Sequence, residues 1–467
     1  MKCFIKHSDE NLMNNFFIKW KFLFQEELKK RILFGERTLI RDFFLLSAPH
    51  DVNIKLWGQI RSLNNTDFTN VSEIAEVRDI SGVQRFSVYF DNKTGKLVFP
   101  FDPFEIYENM LNEEYYSNDV KLKRYSRYFY YMFKNLIPKQ LLLSARKNFA
   151  KKALKEDVFP KWPIDDTLLR LEKFILYNFL RLNMLEKFLF IWFWPSNYKY
   201  VVVLTHDVES SAGLKNVLRI SKIEEEMGFR SSFNFVLRKY EIPRKLLSYL
   251  ENRGFEVGIH GFNHDGRLFS NFNIFKRRVY HINKIAREWG IKGFRSPSTF
   301  RNVNWMRYLD FMYDSSFFDT DPFEPQPGGT LSIFPFMLGK LVELPITMPQ
   351  DHTLFVLLGM KDISVWVKKA EFIKRHNGLM LLNTHPDPGY LGDPIVEKKY
   401  IEFLEYLKKD EGMFWNPLPY ELAEWWKMRA QLEVSQLDGN SSLKGVDPRL
   451  TLAFLVLKGD KLGIEYV

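Results

Sequence analysis

The sequence has almost no cysteine and no long apolar run, and both absences bear on where the protein works. Cys3 is the only cysteine among 467 residues, so an internal disulfide is excluded and a reducing compartment is expected. Residues 1–10 lack the apolar stretch of a signal peptide. The most apolar run, residues 188–194, is far shorter than the ~20 residues that a membrane-spanning helix needs. We therefore expect a cytoplasmic protein, at most peripheral to a membrane.

Acidic residues are absent from one basic stretch, residues 121–155. This stretch contains 11 Lys or Arg residues, more than the net charge of +10 of the whole chain, and aromatic residues are interleaved with the charges. A solvated helix face is the commonest origin of such a run. The functional alternative is a surface for an anionic membrane or for a diphosphate-linked or acidic glycan, including a lipid-linked one. No nucleic acid is expected, because no recognisable binding motif accompanies the charge.

Length and composition predict a globular protein with more than one module. Hydrophobic residues make up 46% and charged residues 27% of the chain, which suits a large buried core. A chain of 467 residues also exceeds one average domain. We divide it into an accessory region of mixed α/β structure over residues 1–195, a barrel over residues 196–430 and a C-terminal addition over residues 431–467.

From residue 200 the pattern alternates strand and helix. Residues 200–204 are a continuous apolar, valine-rich run, typical of a strand buried on both faces, and helical spacing follows over 214–227. The alternation gives about seven strands, the last at residues 379–382. Units of this length predict a parallel sheet covered by helices. Because polar residues fall at successive strand ends, the α/β fold predicted is a (β/α) barrel.

Two histidines, His260 and His264, lie four residues apart just beyond a predicted strand. On one turn of helix they face the same way and can share one metal ion. The chain has nine histidines, so such a spacing also arises by chance. The pair alone therefore leaves a ligand role and a structural role open.

Two carboxylates, Asp207 and Glu209, follow the first predicted strand. Alternation along a strand puts both on one side, so both can point into the mouth of the barrel. Capping of the next helix is the ordinary alternative. With the histidine pair available, we predict Glu209 as the third metal ligand and Asp207 as the general base. This donor set favours one divalent ion, Zn²⁺, with Co²⁺, Mn²⁺ and Ni²⁺ as alternatives.

An arginine and a third histidine complete the predicted catalytic set. Arg295 ends a strand, where its guanidinium can hold Asp207 ionised and oriented; a structural salt bridge elsewhere is the alternative. His385 follows the last strand, and as an imidazolium it can donate a proton to a leaving amine. Asp387 or Asp314 is the expected partner that holds this histidine in the right tautomer.

These segments resemble the five motifs of the polysaccharide deacetylase family (carbohydrate esterase family four, the nodulation-protein homology domain). The motif segments are Thr-His-Asp-Val-Glu at 205–209, His-Gly-Phe-Asn-His at 260–264, Arg-Ser-Pro-Ser at 295–298, Tyr-Asp-Ser-Ser at 313–316 and Leu-Asn-Thr-His at 382–385. The resemblance covers roughly residues 200–430. It implies a distorted (β/α) barrel and the removal of N- or O-acetyl groups from glycans with the help of a divalent metal.

The sequence departs from these motifs at three positions. Val208 stands where a second aspartate normally binds the metal, and relatives with such a change imply that the role moves to Glu209. Gly261 replaces a hydroxyl residue, and Ser298 replaces a tyrosine whose backbone amide usually helps to hold the oxyanion. The first half of the chain is similar to an uncharacterised branch of the family that carries an N-terminal extension.

The function expected from these residues is metal-dependent hydrolysis of the N-acetyl group of an acetamido sugar, within a glycan or a lipid-linked precursor. One alternative is hydrolysis of a cyclic amide or ureide on the same barrel, as some relatives perform. The other is a catalytically silent protein that binds a glycan or a membrane. The altered positions Val208 and Ser298, together with the basic residues 121–155, favour this last alternative.

Overall fold

The computed structural model describes most of the chain. The described residues are 15–21, 25–34, 37–47, 52–63, 68–116, 139–154, 159–432 and 447–467. Of the basic stretch predicted to meet a membrane or glycan, residues 121–138 and 155 lie outside the described residues.

A six-stranded sheet with flanking helices forms the first part of the chain. Its elements are α1 Asn15–Lys19, α2 Gln25–Arg31, β1 Ile32–Phe34, β2 Arg37–Ser47, β3 Val52–Ser62, β4 Val71–Asp79, β5 Arg85–Asp91, β6 Lys96–Phe99 and α3 Pro103–Leu111, with 3-10 turns at Phe68–Asn70 and Glu114–Tyr116. The strand order is β1-β6-β5-β4-β2-β3, and every pair is antiparallel except β1 with β6. The predicted mixed α/β character of the accessory region is confirmed.

Two helices and a strand lead to the barrel. They are α4 Lys139–Ala153, α5 Thr167–Leu182 and β7 Lys187–Ile191. Helix α5 is buried on most sides, with every residue from Phe174 to Leu180 buried in addition to Leu168, Leu169, Leu171 and Glu172.

The alternation predicted from residue 200 onward is present. The strands are β8 Tyr200–Val208, β9 Ser231–Phe235, β10 Glu256–Ile259, β11 Gly293–Phe294, β12 Tyr313–Asp314, β13 Phe336–Leu338, β14 Leu341–Glu343, β15 Leu379–Thr384 and β16 Phe414–Trp415. The helices are α6 Ser211–Leu214, α7 Val217–Glu226, α8 Arg244–Asn252, α9 Phe272–Trp289, α10 Val303–Met306, α11 Ser364–Arg375, α12 Pro394–Lys408 and α13 Pro419–Gln431, with 3-10 turns at Pro195–Asn197 and Pro297–Thr299 and a π-helix at His352–Leu357.

These strands form one curled sheet. Its order is β13-β14-β12-β11-β10-β9-β8-β15, β16 also pairs with β8, and every pair is parallel except β13 with β14. Beyond β14, the backbone N–H groups of Thr347 and Met348 donate to the carbonyl oxygen of Leu381 on β15, at 3.2 and 3.0 Å. These bonds close the sheet on itself. The predicted distorted (β/α) barrel of about seven strands is therefore confirmed.

Strand β8 is a buried strand of the barrel wall. It pairs with β15 on one side and β9 on the other, and residues 200–204 are each at most 1% exposed. Burial on both faces explains the continuous apolar run in the sequence. Because neighbouring strands are parallel, their C-terminal ends lie at one rim, where the polar residues predicted for the site come together.

The C-terminal residues form a strand pair, β17 Leu452–Lys458 and β18 Lys461–Tyr466, and β17 also pairs antiparallel with β7. Backbone contacts group the chain into two units, one of Met1–Tyr115, Asp166–Asn197 and Arg429–Val467 and the other of Tyr116–Asp165 and Tyr198–Met428. The domain limits at residues 195 and 430 stay a prediction. Each of the two units is built from segments that are not consecutive in the chain. No helix in the described ranges is both long and apolar enough to cross a bilayer.

Replacing Leu204 by alanine tests the burial of β8. Leu204 is 1% exposed, so the change leaves a buried cavity, and we expect a loss of about 2–5 kcal/mol in the free energy of unfolding. Leu218→Ala on α7 is the matched control, because Leu218 is 48% exposed and should change stability by no more than about 0.5 kcal/mol. Urea-induced unfolding compares the two variants. Equal losses would contradict the placement of β8.

Candidate metal centre and active site

Glu209, His260 and His264 lie together at the C-terminal rim of the barrel. One ligand atom from each lies within 4.8 Å of the other two. Glu209 Oε1 is 2.7 Å from His264 Nε2 and 3.6 Å from His260 Nε2, and the two imidazole centres are 5.2 Å apart. The structure thus brings together the three residues predicted as metal ligands, whose role as ligands stays a prediction.

The environment of His260 fits a metal ion. Its side chain is 2% exposed, and neither ring nitrogen has a hydrogen-bond partner among the described residues. Buried polar atoms are nearly always paired, so two unpaired ring nitrogens beside a carboxylate are unusual for a structural histidine. Two histidines and one carboxylate are a known donor set of catalytic zinc sites, which keep a further position open. The residues present therefore fit one divalent ion.

The two histidines do not lie on a turn of helix, so this part of the prediction is wrong. The segment after β10 is irregular, and φ is +66° at Gly261 and +53° at His264, values that an α-helix does not contain. A Cβ atom on Gly261 would lie 2.4 Å from the ring of Pro297. The left-handed backbone and the close proline ring together favour glycine at residue 261.

The change to Val208 has a packing cause. Val208 is the last residue of β8, is fully buried and pairs with Phe235 on β9. Glu209 lies just beyond the strand, where its backbone N–H donates to Asp387 Oδ2 at 2.9 Å. Here the side chain of residue 208 belongs to the core, and the carboxylate of residue 209 reaches the histidines.

Asp207 is held in place and ionised beside these residues. Its carboxylate accepts hydrogen bonds from Asn234 Nδ2 and Asn383 Nδ2, each at 2.9 Å, and from Arg295 Nη1 at 3.3 Å. Burial alone would raise the pKa of Asp207, but electrostatic interactions with its neighbours, His260 and Arg295 first, lower this pKa to about 2. The predicted base is therefore a carboxylate at neutral pH.

Arg295 is buried inside the barrel and positions Asp207. Its guanidinium donates to Thr205 Oγ1 at 2.7 Å, to Asn383 Oδ1 at 2.5 Å, and to the carbonyl and hydroxyl oxygens of Ser315 at 2.8 and 2.7 Å. Its contact with Asp207 uses one nitrogen rather than a two-pronged fork. Because Arg295 also anchors Asn383, it fixes both carboxylate oxygens of Asp207, one directly and one through the amide.

His385 is held by Asp351, which no motif in the sequence marks. His385 Nδ1 lies 2.7 Å from Asp351 Oδ1, and its backbone N–H donates to Asp351 Oδ2 at 2.9 Å. Burial alone would lower the pKa of His385, but the charge and hydrogen bond of Asp351, with a contribution from Glu209, raise this pKa to about 10. His385 Nε2 lies 4.0 Å from Glu209 Oε1, so a protonated imidazole borders the three-residue cluster.

The two carboxylates predicted to orient His385 have other partners, so that prediction is wrong. Asp387 accepts from the backbone N–H of Glu209, and Asp314 accepts from the backbone N–H and hydroxyl of Ser316 at 3.0 and 2.8 Å. Asp387 lies two residues after His385 and Asp314 lies in a motif segment, whereas Asp351 reaches His385 from 34 residues away because its loop folds back to the rim. In the sequence, Asp351 is recognisable only as an acidic residue that follows strand β14.

A cavity of about 200 Å³ opens onto Asp207, Glu209, His260, His264 and His385. Its lining also includes Arg146, Ser298, Glu324, Gln350, His352 and Tyr390. Of these six residues only Ser298 belongs to a motif that the sequence shows. Arg146 belongs to the basic stretch noted in the sequence, and the other four lie in stretches where no spacing or composition distinguishes a site residue from a surface residue.

No protein-family model matches this sequence, and no curated protein matches it either. Solved structures are similar to about half of the chain. A protein from Mycobacterium smegmatis, assigned as a polysaccharide deacetylase, has 17% identity and a TM-score of 0.40, and the match covers 50% of this chain and 92% of that one.

Two further solved structures are similar at the same level. The Puue allantoinase has 15% identity and a TM-score of 0.41, over 50% of this chain and 92% of its own. A Pseudomonas aeruginosa PAO1 protein, assigned as a polysaccharide deacetylase, has 12% identity and a TM-score of 0.41, over 51% of this chain and 95% of its own.

Elemental analysis of the purified protein after zinc loading tests the metal centre. We expect about one ion per chain, because Glu209, His260 and His264 form one cluster in the described residues. Glu209→Ala and His260→Ala should each lose the ion. His281→Ala is the matched control, since His281 is exposed and lies outside the cluster, and it should keep the ion. An ion retained in both cluster variants would contradict this assignment.

Replacing Asp351 by asparagine tests what protonates His385. In the metal-free protein the pKa of His385 should fall from about 10 towards or below its ordinary value of about 6.5, because the charge that raises it is gone. A raised pKa stabilises the fold below the unfolded value and loses that contribution as the pH rises through about 10. The parent should therefore be more stable than Asp351→Asn near pH 6, and this pH-dependent advantage should have disappeared above about pH 10. Histidine-selective NMR titration reads the pKa, and an unchanged value would refute the pairing.

Proposed function

We propose that this protein is a metal-dependent hydrolase that removes the N-acetyl group from an acetamido sugar. One observation carries the proposal: an ionised carboxylate, Asp207, and a protonated imidazole, His385, border the same cavity as a two-histidine, one-carboxylate cluster. Hydrolysis of an amide needs a group that accepts a proton and a group that donates one. Neighbouring charges push the pKa values of these two residues in opposite directions, which provides both at neutral pH.

The metal would be held by Glu209, His260 and His264. A divalent ion bound there supplies Lewis-acid chemistry, because it polarises a carbonyl oxygen and lowers the pKa of a water molecule. The two histidines with one carboxylate favour Zn²⁺, with Co²⁺, Mn²⁺ and Ni²⁺ as alternatives.

The protein side chains handle the protons of the reaction. Hydrolysis of an acetamide forms a bond between the water oxygen and the carbonyl carbon and breaks the bond from that carbon to nitrogen. Asp207 accepts a proton from the water as the first bond forms. His385 donates a proton to the nitrogen as the second bond breaks, which releases acetate and the free amine of the sugar. Arg295 keeps Asp207 oriented, and Asp351 keeps His385 charged.

The choice of an acetamido sugar rests on the motifs and on the size of the cavity. The five motif segments resemble those of polysaccharide deacetylases, and Ser298, whose backbone amide this resemblance implies as an oxyanion donor, lines the cavity. A volume of about 200 Å³ is below the ~300–1,000 Å³ usual for small-molecule sites, so it suits one acylated group rather than a long enclosed chain. We propose a glycan or a lipid-linked precursor in the cytoplasm as the setting, in keeping with the single cysteine of the chain.

Asp207→Asn tests the proposal on the zinc-loaded protein. We expect acetate release from acetamido sugars to fall by about 100- to 10,000-fold, because the proton acceptor is lost while the metal ligands remain. Metal content should be unchanged. Asp310→Asn removes an exposed carboxylate and is the matched control, expected to keep the parental rate.

The same assay separates the proposal from its alternatives, using a panel of acetamido sugars and a cyclic ureide. Opening of the ureide without acetate release from any sugar would replace the proposal by cyclic amide hydrolysis. Sugar binding by the metal-loaded parent without any turnover would instead indicate a silent binding protein.

A further inference from the structure

Helix α4, which lies within the basic stretch of the sequence, packs against residues of the barrel region. Its residue Ala150 is 1% exposed and belongs to an apolar cluster with Phe323 and Leu357, against which Trp162 also packs. Leu357 is the last residue of the π-helix at His352–Leu357. The backbones of this π-helix and of α4 lie close together. Contacts of buried apolar side chains therefore fix this turn of α4 beside the cavity.

Arg146 lies four residues before Ala150, on the same face of α4. Positions four apart on a helix are neighbours, so the contact that buries Ala150 also turns Arg146 towards the barrel. Arg146 is partly buried and lines the cavity that holds the metal cluster, whereas Lys151 on the same helix is exposed. The basic stretch thus has an inner and an outer face within its described part.

Among the described residues, the charge of Arg146 acts on Glu324 and Tyr390 without direct contact. Its guanidinium forms no hydrogen bond and no ion pair within the described residues. All three acids that line the cavity have other partners. Asp207 and Glu209 belong to the site described above, and Glu324 Oε1 accepts a hydrogen bond from Gln350 Nε2 at 3.3 Å and lies 3.6 Å from His352 Nδ1. A partly desolvated charge without a hydrogen-bonded counter-ion is unfavourable, and a ligand anion in direct contact would reduce that cost.

We infer that Arg146 binds a negatively charged group on the substrate, so that the cavity selects acetamido sugars that carry a phosphate or a carboxylate. Both anions present paired oxygens that match the planar donors of a guanidinium. A neutral sugar would leave the guanidinium unpaired, which discriminates against it. The inference rests on the proposed function for the acetamido group and adds the charge of the molecule that bears it.

Calorimetric titration of the zinc-loaded, full-length protein tests the inference with three probes: N-acetylglucosamine, N-acetylglucosamine 1-phosphate and 2-acetamido-2-deoxyglucuronic acid. We expect at least one anionic sugar to bind about 10- to 100-fold more tightly than the neutral one, which corresponds to one charge-assisted hydrogen-bonded contact. The tighter of the two anions identifies phosphate or carboxylate as the group.

Variants on one helix supply the control. Arg146→Gln should abolish the preference for the anionic sugar while leaving the affinity for N-acetylglucosamine and the zinc content unchanged. Lys151→Gln removes the same charge from the outer face of α4 and should keep the preference. Arg146→Lys should keep part of it, because the charge remains but the planar donors are lost.

Three results would overturn the inference: neutral and anionic sugars that bind equally, anionic sugars that do not bind at all, or an equal loss of preference in Arg146→Gln and Lys151→Gln. Binding is measured without turnover, so this failure is distinct from that of the proposed function. An Arg146-dependent preference without acetate release would support the anion site and contradict the deacetylase. Acetate release at equal efficiency from neutral and anionic sugars would support the deacetylase and contradict the anion site.

Discussion

The site depends on the burial of one ionised carboxylate. Asp207 is 2% exposed, and a charge with so little contact with water must be surrounded by donors. These come from neighbouring strands: Asn234, paired with Asp207 across β8 and β9, and Asn383, paired with Thr205 across β8 and β15. Arg295, just beyond β11, supplies the third. A slip of one residue in either strand pair would turn its asparagine to the opposite face of the sheet. The buried charge of Asp207 therefore depends on the register of both strand pairs.

Two charged neighbours of opposite sign set the protonation states of two residues in one cavity. Arg295 lies beside Asp207 and favours its ionised form, whereas Asp351 lies beside His385 and favours its protonated form. Both pairs are buried, where charges act more strongly on one another than they do in water. The cavity therefore contains a proton acceptor and a proton donor at the same pH. The cluster of Glu209, His260 and His264 lines the same cavity.

The sequence reveals the parts of this site that local patterns determine. Apolar runs mark the buried strands, and a parallel sheet brings the ends of those strands together, so Asp207, Arg295 and His385 are predictable as neighbours. Spacing does not predict backbone conformation, and the pair His260 and His264 meets through a left-handed loop rather than a helical turn. Nor does local sequence show which distant loops return to the rim.

The two residues that escape sequence reasoning are those placed by tertiary packing. Asp351 reaches His385 because the chain beyond β14 closes the barrel against β15 before it turns to the rim. Arg146 reaches the cavity because Ala150 anchors its helix in an apolar cluster. In the sequence both are ordinary charged residues, one beyond a strand and one within a basic run, and their functions depend on contacts between segments far apart in the chain.

Anomalous diffraction at the zinc absorption edge, on crystals of the zinc-loaded protein, tests the central claim most directly. We expect one strong peak within coordinating distance of the Glu209 carboxylate and of ring nitrogens of His260 and His264, with Asp207 and His385 facing it from the cavity. A peak bound by other residues, or full occupancy elsewhere with these three side chains free of metal, would contradict a hydrolytic centre at this rim.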